Sequence, residues 1–90
     1  MAYYVYILRC EDGSYYTGYA KNVETRVKQH KRGKGALYTR MRKPEKLVYV
    51  EEFDTRSEAM RMEREIKQLS HEEKMKLANS YRNVTRNQKS

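Results

Sequence analysis

The stretch from Tyr3 to Cys10 is aromatic and β-branched, and it breaks at Glu11-Asp12-Gly13 before a second such stretch starts at Ser14. The pattern reads as a strand over 3–10, a tight turn and a second strand over 14–19. The length of the turn decides which side chains meet. A two-residue Asp12-Gly13 loop pairs Leu8 with Thr17 and puts Tyr6 and Tyr16 on opposite faces of the sheet. A three-residue loop, with Gly13 as the left-handed bulge residue, pairs Cys10 with Ser14 and Leu8 with Tyr16. Tyr6 and Tyr16 then share a face, because side chains alternate along a strand. A functional role for the two tyrosines needs that second register or an equivalent bulge.

Downstream, Asn22 is an N-cap for a helix over 23–32 that Gly33 ends. Val23, Arg26, Val27 and His30 fall on one stripe of this helix. A Gly-containing basic loop follows over 31–43, with Tyr38 in its middle. Residues 46–53 read as a third strand. Thr55 and Glu58 form a capping box that opens a helix to about Leu69, and Ser70 with Glu73 forms a second one for a helix to about Asn79. Ninety residues make one domain, assigned to 1–81, with 82–90 expected to be a polar, flexible tail.

The formal net charge is +8, and the excess is concentrated. Residues 21–43 hold nine Lys/Arg against one Glu. Such a block favours a polyanionic partner. The candidate nucleic-acid contacts are Lys28, Lys31, Arg32, Lys34, Tyr38, Arg40, Arg42 and Lys43. The one cysteine, Cys10, excludes an internal disulfide and a cysteine-based zinc site. No apolar run approaches membrane-spanning length, and the N-terminus lacks a signal-peptide pattern. A cytoplasmic protein that does not engage a membrane is the expectation.

Three charged or titratable residues occupy positions that should face the interior. Arg26 and His30 lean toward the sheet, and an arginine there calls for an anion that its guanidinium fork can grip, such as a phosphate. Glu63 lies in the apolar stripe of Ala59, Met62, Ile66 and Leu69. A carboxylate buried there is costly unless paired or metal-bound. It is either the partner of Arg26 or another cation, or a ligand to a divalent ion that keeps most of its waters for a substrate phosphate. Tyr6 and Tyr16 are either packing residues or, with a cation close enough to favour the phenolate, groups able to move a proton.

These residues resemble those of the GIY-YIG nuclease superfamily. Tyr4-Val5-Tyr6 sits where its first motif would be and Tyr16-Thr17-Gly18 where its second would be. Arg26 and His30 match the arginine and histidine of the family's first helix, and Glu63 the metal-binding glutamate of a later one. Asp12-Gly13, Gly33-Lys34-Gly35, Tyr38-Thr39-Arg40 and Ile66-Lys67 are similar to small stand-alone bacterial members of an uncharacterised family. Tyr4 replaces the first motif's glycine, and Tyr19 stands where excision-repair relatives carry a lysine. The resemblance implies an α/β (α+β) fold, a three-stranded antiparallel sheet flanked by helices. It also implies hydrolysis of phosphodiester bonds, in DNA ahead of RNA, with branched or single-stranded and repair-related substrates. Tyr6, Tyr16, Arg26 and His30 would be catalytic, and Glu63 would hold one Mg²⁺ or Mn²⁺. Whether a protein partner supplies targeting is left open by the sequence.

Two rivals keep the basic loop without the chemistry. A non-catalytic nucleic-acid-binding module binds in a salt-dependent way and forms no metal-dependent product. A protein-interaction domain meets an acidic partner and ignores nucleic acid at physiological salt. The sequence leaves oligomeric state open.

Overall fold

The computed structural model describes residues 2–33 and 42–89, with side chains through residue 80. Six elements follow in chain order: β1 (Tyr3–Cys10), β2 (Tyr15–Ala20), α1 (Val23–Lys31), β3 (Pro44–Phe53), α2 (Arg56–Lys67) and α3 (His71–Lys89). The strands form one antiparallel sheet in the order β2-β1-β3. The fold is thus α+β, a three-stranded sheet with helices. Because β1 is central and covered on both faces, Val5, Tyr6, Ile7 and Leu8 are buried in succession instead of alternating with exposed positions.

The hairpin takes the three-residue register. Leu8 opposes Tyr16, and Tyr6 opposes Gly18. The Cys10 amide donates to the Ser14 carbonyl at 2.8 Å, and the Gly13 amide donates to the Cys10 carbonyl at 2.9 Å. Gly13 has φ 85°, the left-handed value that the bulge requires and that glycine adopts freely. The turn is tied down from three sides. Asp12 accepts from the Ser14 amide and hydroxyl, and it pairs with Arg42 Nη1 at 2.7 Å. The Glu11 amide donates to the Lys43 carbonyl at 3.0 Å. From α3, His71 Nε2 lies 2.8 Å from the Gly13 carbonyl oxygen, with its ring against Tyr15.

The Ser14 hydroxyl and amide, helped by Arg42, hold the Asp12 carboxyl down at about 2. A carboxyl depressed on folding contributes stability above its unfolded value near 3.8, and that contribution is lost as pH falls toward 2. Urea unfolding at about pH 5 and about pH 2 should therefore show a larger acid loss in wild type than in Asp12→Asn. Equal acid sensitivity in the two proteins would remove Asp12 from the account.

Asn22 caps α1 by accepting from the Thr25 amide at 3.0 Å. Both expected capping boxes are present, Thr55 with Glu58 on α2 and Ser70 with Glu73 on α3. β3 starts two residues earlier than the sequence suggests, at Pro44, a strand-initial position where a missing amide proton does no harm. Its pairing with β1 shifts register between Ile7 and Leu8 and again between Arg9 and Cys10. The last helix, expected to stop near Asn79, continues through Lys89. Nothing after Ser70 breaks it, since residues 71–89 contain neither glycine nor proline.

Each face of the sheet has its own filling. Val5, Ile7 and Tyr49 pack with Ala59 and Ile66 of α2, and Met62, Leu69 and Leu77 close the same cluster. Tyr6, Leu8 and Cys10 project to the opposite face, where Tyr6 meets His30 of α1. Among the described residues, no helix is long and apolar enough to cross a membrane.

Candidate active site

Between β2, α1 and α2 lies a cleft of about 470 Å³ whose walls include Tyr6, Tyr16, Gly18, Tyr19, Arg26, Gln29 and Glu63. The hairpin register brings the two tyrosines together, with ring centroids 6.4 Å apart. His30 stands behind them, fully buried, 5.0 Å from the Tyr16 ring centroid. Its Nε2 is 2.8 Å from the Tyr6 hydroxyl oxygen, a buried hydrogen bond between β1 and α1. The amphipathic stripe of α1 thus delivers His30 to the interior.

One turn earlier on the same helix, Arg26 reaches into the cleft toward the sheet, where it is within hydrogen-bonding reach of Tyr6, while the residue as a whole stays exposed. Its Nη1 donates to Gln29 Oε1 at 3.0 Å. Glu63, on the inward stripe of α2, has 18 % of its side chain exposed, and its ion-pair partner is Lys67 at 3.8 Å. Arg26 is not that partner. Lys67 is about half exposed, at 52 %, so the pair is a weak surface contact.

Burial chiefly pushes the Tyr6 phenol well above its ordinary value. Tyr16 and Glu63 push it the same way, and Arg26 opposes. Tyr16 is raised by burial and by Glu63, again against Arg26. The cation therefore acts in the expected direction, but desolvation of the phenolate outweighs it. Burial and the Arg26 charge both lower His30, which keeps the ring neutral near pH 7.

Gly18 is a site residue that a motif position alone does not explain. A Cβ built there would lie 2.5 Å from the Tyr6 hydroxyl oxygen and 2.7 Å from Cζ. Only a residue without a side chain lets Tyr6 lie across β2. Gly18→Ala is expected to destabilise the fold by about 1–3 kcal/mol, a typical overpacking cost, and to displace the Tyr6 hydroxyl from His30. Denaturant midpoints of the purified variant check the first effect; a wild-type midpoint would contradict it.

The described residues contain no group of three or more histidine, cysteine or acidic side chains able to hold a metal ion. They do offer one cleft-lining carboxylate, Glu63, whose protein cation is weakly held. That suits a hard ion such as Mg²⁺, which binds through one or two carboxylates and otherwise through water and substrate phosphate.

The basic surface is described in part. Lys28, Lys31, Arg32, Arg42 and Lys43 are exposed, while Lys34, Tyr38 and Arg40 lie outside the described residues. Arg42 is engaged with Asp12, so its charge serves the hairpin turn. Gln29 was not singled out by the sequence, although its place three residues after Arg26 on one helix is the spacing at which side chains meet.

The three-stranded antiparallel sheet with helices around the cleft is the fold that the GIY-YIG resemblance implies, and that family is a nuclease class. A family model described as the GIY-YIG catalytic domain matches residues 2–77, and the chain belongs to that family. A UPF0213 protein of Staphylococcus saprophyticus is 55 % identical over 75 residues, covering 83 % of this chain and 92 % of that protein. A UPF0213 protein of Staphylococcus aureus is 51 % identical over 76 residues, covering 84 % and 93 %. Among solved structures, a UPF0213 protein of Bacillus halodurans has a TM-score of 0.56 at 52 % identity, over 88 % of this chain and 84 % of that one. A protein of E. faecalis has a TM-score of 0.61 at 36 % identity, over 91 % and 88 %.

Proposed function

We propose that the chain is a metal-dependent nuclease that hydrolyses phosphodiester bonds, in DNA ahead of RNA, on branched or single-stranded substrates of the kind met in cytoplasmic DNA repair. The observation that carries this reading is the convergence of Tyr6, Tyr16, Arg26 and Glu63 on one cleft, with His30 hydrogen-bonded behind Tyr6. Arg26, exposed at the cleft, grips the phosphate and stabilises the charge that grows on it during attack. Tyr16 positions phosphate or water.

Tyr6 is a phenol at rest, so it accepts a proton from the attacking water only as it gives up its own. The neutral His30 ring, 2.8 Å away, is the acceptor for that proton. Glu63 would hold the single Mg²⁺ or Mn²⁺, which supplies Lewis-acid activation and charge neutralisation when bound. Holding a cation would also cancel the carboxylate's unfavourable influence on the two phenols.

Tyr6→Phe keeps the ring and removes the relay. Single-turnover cleavage should fall about a hundredfold, at the low end for general acid–base catalysis because His30 remains. Affinity for an oligonucleotide, read by fluorescence anisotropy, should stay within about threefold, under 1 kcal/mol. A wild-type rate in Tyr6→Phe would reject the relay. The raised Tyr6 phenol favours one second reading, a non-catalytic nucleic-acid-binding module. That module binds DNA in a salt-dependent manner and yields no product in Mg²⁺ or Mn²⁺.

A further inference from the structure

Outside the five-residue cluster, two cations stand near Tyr3, one lining the cleft and one tied to a residue that lines it. Lys21 lines it, with Nζ 5.7 Å from the Tyr3 ring centroid. Arg56, the first residue of α2, donates its Nε to the hydroxyl of Tyr19 at 3.3 Å, and Tyr19 also lines the cleft. Both cations are exposed, and among the described residues neither has a carboxylate within ion-pair distance. With Nε fixed, the Arg56 fork is oriented and its terminal nitrogens are left for an anion.

The geometry points to a phosphate subsite formed by Lys21 and Arg56, which takes the backbone phosphate flanking the one held at Arg26. It deepens the nuclease reading and rests on it. Lys21 lies two residues before α1 begins, Arg26 is in the middle of α1, and Lys31 and Arg32 are at its far end. A helix of nine residues is about 14 Å long. Positive charge therefore stands at both ends of the cleft-lining helix with Arg26 between, and a polynucleotide strand laid along α1 meets a cation at each stage. Neither phenol is the phosphate ligand. The Tyr19 hydroxyl orients Arg56, and the Tyr3 ring supports the Lys21 ammonium.

The test is binding of a fluorescein-labelled single-stranded DNA oligomer in chelator, followed by anisotropy between about 50 and about 200 mM salt. Two lost single-strand phosphate contacts should reduce the slope of log affinity against log salt by about 1.4 in Lys21→Gln/Arg56→Gln. Lys46→Gln/Lys76→Gln removes the same charge from β3 and α3 and should change the slope by less than half as much. Arg56→Lys, with Lys21 intact, should keep the wild-type slope, which a purely structural role through Tyr19 does not predict. An unchanged slope in the first double variant, or an equal change in the second, would overturn the subsite and leave the nuclease reading standing. Absence of any salt-dependent binding by wild type would overturn both.

Discussion

Arg26→Ala should lower cleavage at saturating substrate by about a thousandfold while the protein stays folded, as loss of a group aimed at developing phosphate charge does in comparable sites. The side chain is exposed, and its partners are Gln29 on the same helix and the Tyr6 hydroxyl, which keeps its bond to His30 when Arg26 is lost, so little packing is lost. The unfolding midpoint should therefore stay within about 0.5 kcal/mol of wild type. Arg26→Lys should recover only part of the rate, because an ammonium keeps the charge but not the planar fork. A second readout follows from the electrostatics. Arg26 helps hold His30 low, so His30 in Arg26→Ala should titrate at higher pH in an NMR titration. Full activity in Arg26→Ala would take the arginine out of the chemistry whatever the titration shows.

Glu63→Gln should abolish metal-dependent cleavage and leave stability close to wild type. A carboxylate buried against a buried arginine would behave otherwise, since its loss strands a charge at a cost of about 3–5 kcal/mol. Here the ion pair is with a half-exposed Lys67 at 3.8 Å, and such contacts contribute about 0–1 kcal/mol. Neutralising Glu63 also removes one cause of the raised Tyr6 and Tyr16 phenols, so both should titrate somewhat lower in the variant. Thermal unfolding beside an activity assay separates the two roles. A large drop in stability would return Glu63 to a structural part.

Much of the fold was legible because local chemistry is explicit in this chain. The Glu11-Asp12-Gly13 turn, the Asn22 cap and the Thr55/Glu58 and Ser70/Glu73 boxes each name their own geometry, and the structure has all four. Period-2 alternation from the correct turn placed Tyr6 beside Tyr16, and the 3.6-residue period placed His30 on the inner stripe of α1. Tertiary distances were not legible. Helical spacing gives a direction but no depth, so Arg26 and His30 share a stripe while one is exposed and the other fully buried. Glu63 pairs with Lys67 four residues on along the same helix, as helical spacing allows, but its failure to pair with Arg26 depends on where α2 packs. Polar composition gives no stop signal of its own, and with no breaker after Asn79 the last helix runs on to Lys89.

Gly18 shows the same limit. Its place in Tyr16-Thr17-Gly18 is visible in the sequence, but its reason is the Tyr6 hydroxyl lying 2.5 Å from where a Cβ would be. The contact joins residues from different strands, and only the register reveals it. His71, which fastens α3 to the Gly13 carbonyl, sits 58 positions away along the chain and gave no sequence signal.

The most direct measurement is cleavage of labelled single-stranded, duplex and branched DNA and of RNA by wild type and Glu63→Gln, in Mg²⁺, in Mn²⁺ and in chelator. The account requires product from wild type with either ion, none in chelator, and none from the folded variant. Salt-dependent binding by wild type with no product under any of these conditions would contradict it.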